Sequence, residues 1–406
     1  MAFEIKGVLS NPGVGRICPE RSDTMKMKRV IAGIAAALMA VSALGTAVMA
    51  EEGDTCKSYL TGETVPTSIG RTRPVGLMIE NDSDAVQWQR GTSYASIMYE
   101  AMVEGAITRM EGLFEDYQGA SMIMPIRSCR PYYVYFAREF NAHYGHYGQV
   151  IYAVPILQLP TTDDIAGIPY GESGQDYVLH DGSSAYIRDH EGVTGIYTNY
   201  DLINQEIQES GWSTQYSSGY NGHYNFAEDG QEVNLENGQI AKVVLPGFVY
   251  NHPRFDYNES DKLYYRSEFG SAQVDGLNGQ QLCYKNIIIQ MCPSTMFDDH
   301  YLWTDPVNGN EGGTGWFITN GRAEQITWKK ENWSADDPIE TTISSANVSF
   351  DVRECDFNVT RYYDMNGNEI TLNQGKTFVE IVRNQDASKV VISDDPSIDT
   401  YIIDGL

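Results

Sequence analysis

Arg127-Ser128-Cys129-Arg130-Pro131 carries the residues of this chain best suited to chemistry. An apolar run, Met122-Ile123-Met124-Pro125-Ile126, precedes it. Tyr133, Phe136, Ala137 and Phe140 follow at the i, i+3, i+4, i+7 spacing of one helical face. Pro131 suits a first helical position, because its ring presets φ and its missing N–H would go unpaired there. The pattern predicts a strand, a tight turn and a helix, with two guanidinium groups at the turn. A helix N-terminus offers free N–H groups and partial positive charge, so two added arginines make an anion site. Guanidinium groups can hold phosphate or carboxylate through paired donors. Arg109 lies upstream and Arg188-Asp189 downstream, and both arginines are candidates for the same site. Asn81, Glu100, Glu104, Ser128 and Asp189 are the groups expected to orient the four arginines. The competing expectation is internal pairing of Arg127 or Arg130 with Glu100, Glu104 or Asp189.

Other reactive residues carry less. Cys129 between two cations is a candidate nucleophile, since neighbouring cations depress a thiol pKa; the alternative is a buried thiol. His143 and His146 have the i, i+3 spacing that would put two imidazoles on one helical face, but Gly145 between them reads as a fraying helix end. Asp298-Asp299-His300 and the loop holding Asp305, Asn308, Asn310 and Glu311 gather oxygen atoms without the spacing of a calcium loop. There is no Walker loop, HExxH or GxSxG. Neither a metal site nor a cofactor is expected.

The elements that must position these residues come next. Residues 75–79 read as a buried strand. Tyr94, Ile97, Met98, Ala101 and Met102 recur at helical spacing and predict a helix over 93–104, with Glu100 and Glu104 on its other face. Residues 107–114, 122–126 and 150–154 read as strands. A second helix runs from Pro131 to about 143–145, and a third from Tyr200 to Ser210 with Gly211 as its stop. Strands alternating with helices predict an α/β amino-terminal domain, a mixed sheet with flanking helices. Past residue 222 strand signals dominate, at 241–245, 263–266, 286–290, 348–352 and 377–382. Asn320-Gly321 and Asn366-Gly367 mark hairpins. The expected division is a leader over 1–50, a linker over 51–72, the α/β domain over 73–222, a mostly-β domain over 223–384 and an acidic tail over 385–406.

Several segments resemble the YerB-like family of bacterial envelope proteins, many of them assigned as lipoproteins and classed as domains of unknown function. They include Arg73-Pro74-Val75, Glu80-Asn81, Tyr99-Glu100-Ala101, Glu104-Gly105, Ile107-Thr108-Arg109 and Pro125 to Pro131. Gly315-Trp316-Phe317, Ile326 to Lys330, Arg361-Tyr362-Tyr363-Asp364 and Gly375 to Val382 resemble its carboxy-terminal module. The resemblance covers residues 73–383 and implies two domains without an assigned activity. After the Arg-Asp pair it implies a His-Asn-Leu-Tyr-Thr-like segment, where this chain has Thr194-Gly195-Ile196-Tyr197-Thr198-Asn199. A histidine used for chemistry in relatives would be missing from that place, which favours binding over turnover. The arginine pattern is also loosely similar to the LytR-CpsA-Psr phosphotransferases, at the level of fold.

Location and charge narrow the partners. Lys26, Lys28 and Arg29 precede an apolar run ending Ala47-Val48-Met49-Ala50, the layout of a secretory signal cut after Ala50; a retained membrane anchor is the alternative. Cys56 lies six residues past Ala50 and lacks a small-residue approach, so a lipid anchor is not expected. No later run is long and apolar enough to span a bilayer. Net charge is −27; residues 1–50 hold six Lys/Arg and three Asp/Glu, leaving the other 356 residues near −30. Such a surface repels nucleic acid. Five cysteines remain, at 56, 129, 283, 292 and 355, and an odd number cannot pair fully. Cys283 and Cys292 fall on one expected strand, about 30 Å apart, too far to bridge. The expected function is binding of an anionic small molecule or cell-wall component through the arginines. The alternatives are a phosphotransferase-like enzyme acting on a phosphorylated wall precursor and a partner-binding structural protein that uses tyrosine-rich β faces.

Overall fold

One eleven-stranded sheet draws strands from both halves of the sequence. The computed structural model describes residues 53–168 and 183–406; the leader read over residues 1–50 lies outside these. In chain order the sheet contains β1 (Val75–Glu80), β2 (Ile97–Met102), β3 (Thr108–Phe114), β4 (His143–His146) and β5 (Asp164–Ala166). It continues with β6 (Gln239–Ile240), β7 (Asn286–Cys292), β8 (Gly313–Thr319), β9 (Arg322–Lys330), β10 (Thr360–Asp364) and β11 (Thr377–Arg383). The spatial order is β6-β9-β8-β7-β11-β2-β3-β1-β4-β5, with β10 also paired to β9. The two halves meet where β11 pairs in parallel with β2, Thr377 opposite Ile97 and Glu380 opposite Glu100. The amino-terminal part is thus a mixed sheet with few helices, and the part after it is mostly strands.

The pleat sends alternate side chains into two cores. Met78, Ile97, Tyr99 and Val379 enter one core, beneath helix α1 (Pro131–Glu139) with its Tyr132, Tyr133, Phe136 and the following Phe140. Leu77, Ile79, Met98 and Phe378 enter the other, with Ile203 and Ile207 of helix α2 (Tyr200–Ser210). Val244, Phe255 and Tyr264 join that second core from a six-stranded sheet that includes Val243–Leu245, Arg254–Asn258 and Leu263–Glu268.

Local signals hold where they have a stereochemical basis. Pro131 occupies the first turn of α1. Asn199 caps α2 by accepting from the Leu202 N–H, and Gly211 ends it at φ 71°. Asn320 and Gly321, at φ 47° and 76°, join β8 to β9 with the two left-handed residues that a tight hairpin requires.

Other expectations are corrected. Residues 93–104 are not a helix: a single 3-10 turn (Thr92–Tyr94) leads into strand β2. All six β2 residues are buried, so the strand has no polar face to reveal a period of two, and its apolar residues fit helical spacing by coincidence. Residues 150–154 are helical turns, Ile151–Ala153 and Val154–Leu157, with Pro155 in the first turn of the second. Residues 122–126 form no regular strand; they pair singly, Ile123 with Thr198, Met124 with Arg90 and Ile126 with Ile79. Helix α1 stops at Glu139, and His143–His146 is a strand. After Asn366-Gly367 the expected second strand shrinks to one bridge, Tyr363 to Glu369. Cys283 and Cys292 stand on separate strands, and all five described cysteines are free thiols. In the segment read as a linker, Thr55–Lys57 pairs with Thr64–Pro66 and Leu60 is fully buried. In the acidic tail, Val391–Ser393 pairs with Val243–Leu245 and Ile403 is buried.

Candidate functional site

The arginine motif lies at the carboxyl ends of the parallel strands β1 and β4, where ligands tend to sit in α/β sheets. The Arg127 N–H donates to the Met78 carbonyl at 3.0 Å, and the Cys129 N–H to the Gly148 carbonyl at 2.9 Å. These two bonds pin the turn across β1 and the loop after β4. Arg130 then caps α1 in extended conformation.

The guanidinium groups converge on two carboxylates. Arg127 donates through Nε to Glu80, and Arg109 Nη2 lies 3.7 Å from the same carboxylate. Arg130 grips Glu104 with Nε at 2.8 and 3.0 Å and Nη2 at 2.5 Å. Arg109 Nη1 also donates to the Ser128 carbonyl at 2.8 Å, while its buried Nε has no hydrogen-bond partner. Burial alone would raise the Glu104 carboxyl, but the hydrogen bonds and charge of Arg130 hold it below the usual range. Arg130 is correspondingly raised: burial opposes its charge and Glu104 outweighs burial. Burial pulls Arg109 down despite Glu80, and Arg130 and Arg127 push it further.

A hollow of about 630 Å³ opens beside this cluster. Arg127, Arg130, Arg188, Ser128 and Gln149 line it together with Glu191. Ile126, Ile168, Val193, Ile196, Tyr147 and Tyr301 supply its apolar surface. Arg130 lies 5.7 Å from the centre of the Tyr301 ring. Arg188 is exposed, on the short hairpin Ile187–Arg188 with Ile196–Tyr197, and donates to the Gly192 carbonyl at 2.8 Å. Arg127 keeps 28% of its side chain accessible and Arg130 9%.

The structure therefore brings Arg109, Arg127, Arg130, Arg188, Glu104 and Ser128 together and separates three of the expected orienting groups. Asp189 contacts His190 Nδ1 at 3.1 Å, not an arginine of the cluster. Glu100 points into a different buried network and pairs there with Arg266. Asn81 belongs to that network too, donating to Glu100 at 3.0 Å and Glu268 at 3.0 Å. Both placements follow from β2 being a strand. Glu80 is the carboxylate of the cluster that sequence reasoning missed; an acid ending an apolar strand beside the arginine turn was the available signal.

Cys129 is fully buried, and burial, reinforced by Asp164, pushes its thiol well up, which removes it as a nucleophile. In strand β4 the side chains of His143 and His146 leave opposite faces. His143 lies 3.3 Å from Asp163, and His146 contacts Asp164 at 2.8 Å and the Gly148 carbonyl at 2.8 Å. Among the described residues no group of three or more His, Cys, Asp or Glu could hold a metal ion. Among them, too, no helix is long and apolar enough to cross a membrane.

A two-module architecture built on one shared sheet, with an arginine turn at its strand ends, matches a defined class. Family models described as "Protein of unknown function (DUF3048) N-terminal domain" and "Protein of unknown function (DUF3048) C-terminal domain" match residues 60–213 and 244–348. The chain belongs to this YerB-like family. It is 25% identical over 277 residues to "Putative lipoprotein YerB" of Bacillus subtilis (strain 168), covering 68% of this chain and 78% of that protein. The crystal structure of the YerB protein from Bacillus subtilis superposes with a TM-score of 0.62 at 22% identity, over 84% of this chain and all of that one, and shares the fold.

Proposed function

We propose that this is an exported envelope protein whose hollow beside Arg127 and Arg130 binds a small anion with an apolar body. The observation that carries the reading is a local excess of positive charge in an acidic protein. Among the described residues, Arg109, Arg127 and Arg130 cluster with Glu80 and Glu104, and Arg188 lines the same hollow as Glu191, a surplus of one cation where the whole chain carries −27. The acids fix the arginines and leave Arg127 and Arg188 reachable from the hollow. A phosphate or carboxylate would complete their hydrogen bonding while its apolar part lies against Ile126, Val193 and Ile196.

The test is calorimetric titration with inorganic phosphate, a short-chain alkyl phosphate and the matching alkyl alcohol. The alkyl phosphate should bind and the alcohol should not. Arg127→Gln with Arg188→Gln should weaken the alkyl phosphate by at least about tenfold, the loss of one or two charge-assisted bonds. Binding that ignores the double substitution would end the reading.

The relative's name is that of a lipoprotein. Here Cys56 lies inside the paired strand Thr55–Lys57 and is half-buried, so the protein is read as exported without lipid on Cys56. Incorporation of radiolabelled palmitate that is lost in Cys56→Ser would overturn this part.

A further inference from the structure

A second hollow, of about 310 Å³, lies in the carboxy-terminal part, under the hairpin of Ile339–Ser344 and Ser349–Arg353. Trp303, Trp333 and Phe350 wall it, and Asp305, Asp351 and Asp356 stand among them. We infer that this hollow binds a small organic cation of the alkylammonium class, with the aromatic faces and the aspartates sharing its charge.

The walls are held in place before any ligand arrives. Trp303 and Phe350 stack with ring centres 4.6 Å apart and planes 22° from parallel. Trp333 donates through Nε1 to Asp356 at 2.7 Å, which fixes the ring. Gly309 passes beneath it, so close that a β-carbon there would lie 3.4 Å from the indole. Aromatic faces carry partial negative charge and attract cations, most strongly where water is excluded.

The acids are spent on local bonds. Asp305 accepts from the Val307 and Asn308 N–H groups at 2.9 and 3.0 Å. Asp356 also accepts from the Arg353 N–H at 2.8 Å, and Asp351 from the Thr342 hydroxyl at 2.9 Å. The Trp333 donor is likewise occupied, and the lining offers three aspartates and ring faces against one arginine, Arg353, whose buried Nε has no hydrogen-bond partner. An alkylammonium ion needs only field and faces. The nearby cations do not cancel the three aspartates. Arg353, which also lines the hollow, lies 3.6 Å from Asp351, and Lys330, whose charge lowers Asp305 and Asp356, is already bound to Glu139. Burial, the largest effect, raises both Asp305 and Asp356, a cost that a bound cation would relieve.

The experiment titrates the full chain with tetramethylammonium, choline and the neutral choline isostere 3,3-dimethyl-1-butanol, at constant ionic strength. Both cations should bind saturably and the isostere at least about tenfold more weakly. Trp333→Leu should weaken the cations about tenfold. Asp351→Asn, at a half-exposed position outside the packed core, should weaken them about threefold without disturbing the fold. Equal binding of the isostere would make the hollow merely apolar and overturn the inference. So would absence of saturable cation binding to wild type, or unchanged binding in Asp351→Asn together with Trp333→Leu.

Discussion

Two arginine–carboxylate clusters sit a few strands apart in this protein with opposite charge balance. At the strand ends, Arg109, Arg127 and Arg130 face Glu80 and Glu104 beside an open hollow. At the seam between the two halves, a single Arg266 meets Glu100, Glu268 and Glu380, all with side chains essentially sealed from solvent. Asn81 and Asn251 donate to Glu100 and Glu268 there, Asn251 to Glu100 at 2.7 Å, while Glu268 Oε1 and both Glu380 oxygens have no hydrogen-bond partner. A buried surplus of carboxyls can be cancelled by protons. Burial, then the neighbouring Glu100, pushes the Glu380 carboxyl well up, and burial raises Glu268 as well. A surplus of guanidinium groups has no such remedy, because arginine does not release its proton. The seam can close on itself, whereas the rim cluster keeps its net positive charge beside an open hollow. The two clusters thus differ in stoichiometry and access rather than in residue type.

Breaking the seam should give the largest effect. Arg266→Met removes the only cation from a fully buried carboxyl cluster and should lower unfolding free energy by about 3–5 kcal/mol in urea denaturation. A loss below about 1 kcal/mol would mean that the carboxyls protonate at negligible cost, and the distinction between the clusters would lose its energetic basis.

Glu111 is the limiting case, a buried carboxyl on β3 with no hydrogen-bond partner at either oxygen. Burial, then the charge of Glu139, raises its pKa well above the ordinary value. A folded-state pKa above the unfolded one means that the native state binds the extra proton. Its stability contribution is complete below the ordinary carboxylate pKa and falls as pH rises toward the folded pKa, by up to about 1.4 kcal/mol per pH unit. Glu111→Gln is uncharged throughout. It should therefore gain on wild type progressively from about pH 5 to pH 7, read as diverging denaturation midpoints. Parallel curves would place a hidden counter-charge at Glu111.

How much of this was legible in the sequence follows from the range of each signal. Pro131, Gly211 and Asn320-Gly321 encode their conformations locally, and all three were readable. So was the rim motif, because its arginines cluster in sequence and Glu104 lies close by. The seam was not readable. Glu100, Arg266 and Glu380 are far apart in the chain; β11 pairing with β2 brings the two acids together, and Arg266 reaches Glu100 from the six-stranded sheet. The two cores, one on each face of the sheet, bury β2 on both sides and erase the alternation that would have identified it as a strand. Glu80 and Glu100 each meet an arginine that only the tertiary structure assigns: Arg109 lies opposite Glu80 in the sheet register, and Arg266 comes to Glu100 from the six-stranded sheet.

The smallest stability effect sharpens the comparison most. Arg127 is the more accessible partner of Glu80, and Arg109 remains 3.7 Å from that carboxylate if Arg127 is lost. Arg127→Ala should therefore cost no more than about 1 kcal/mol, the range of partly exposed pairs. Arg130→Ala should cost clearly more, since Arg130 is nearly sealed and holds Glu104 through three contacts. If denaturation ranks them this way, Arg130 shapes the turn and Arg127 is the cation free to meet a ligand. If Arg127→Ala proves as damaging as Arg266→Met, the rim is a second structural seam, and its surplus charge serves Glu80 rather than the hollow.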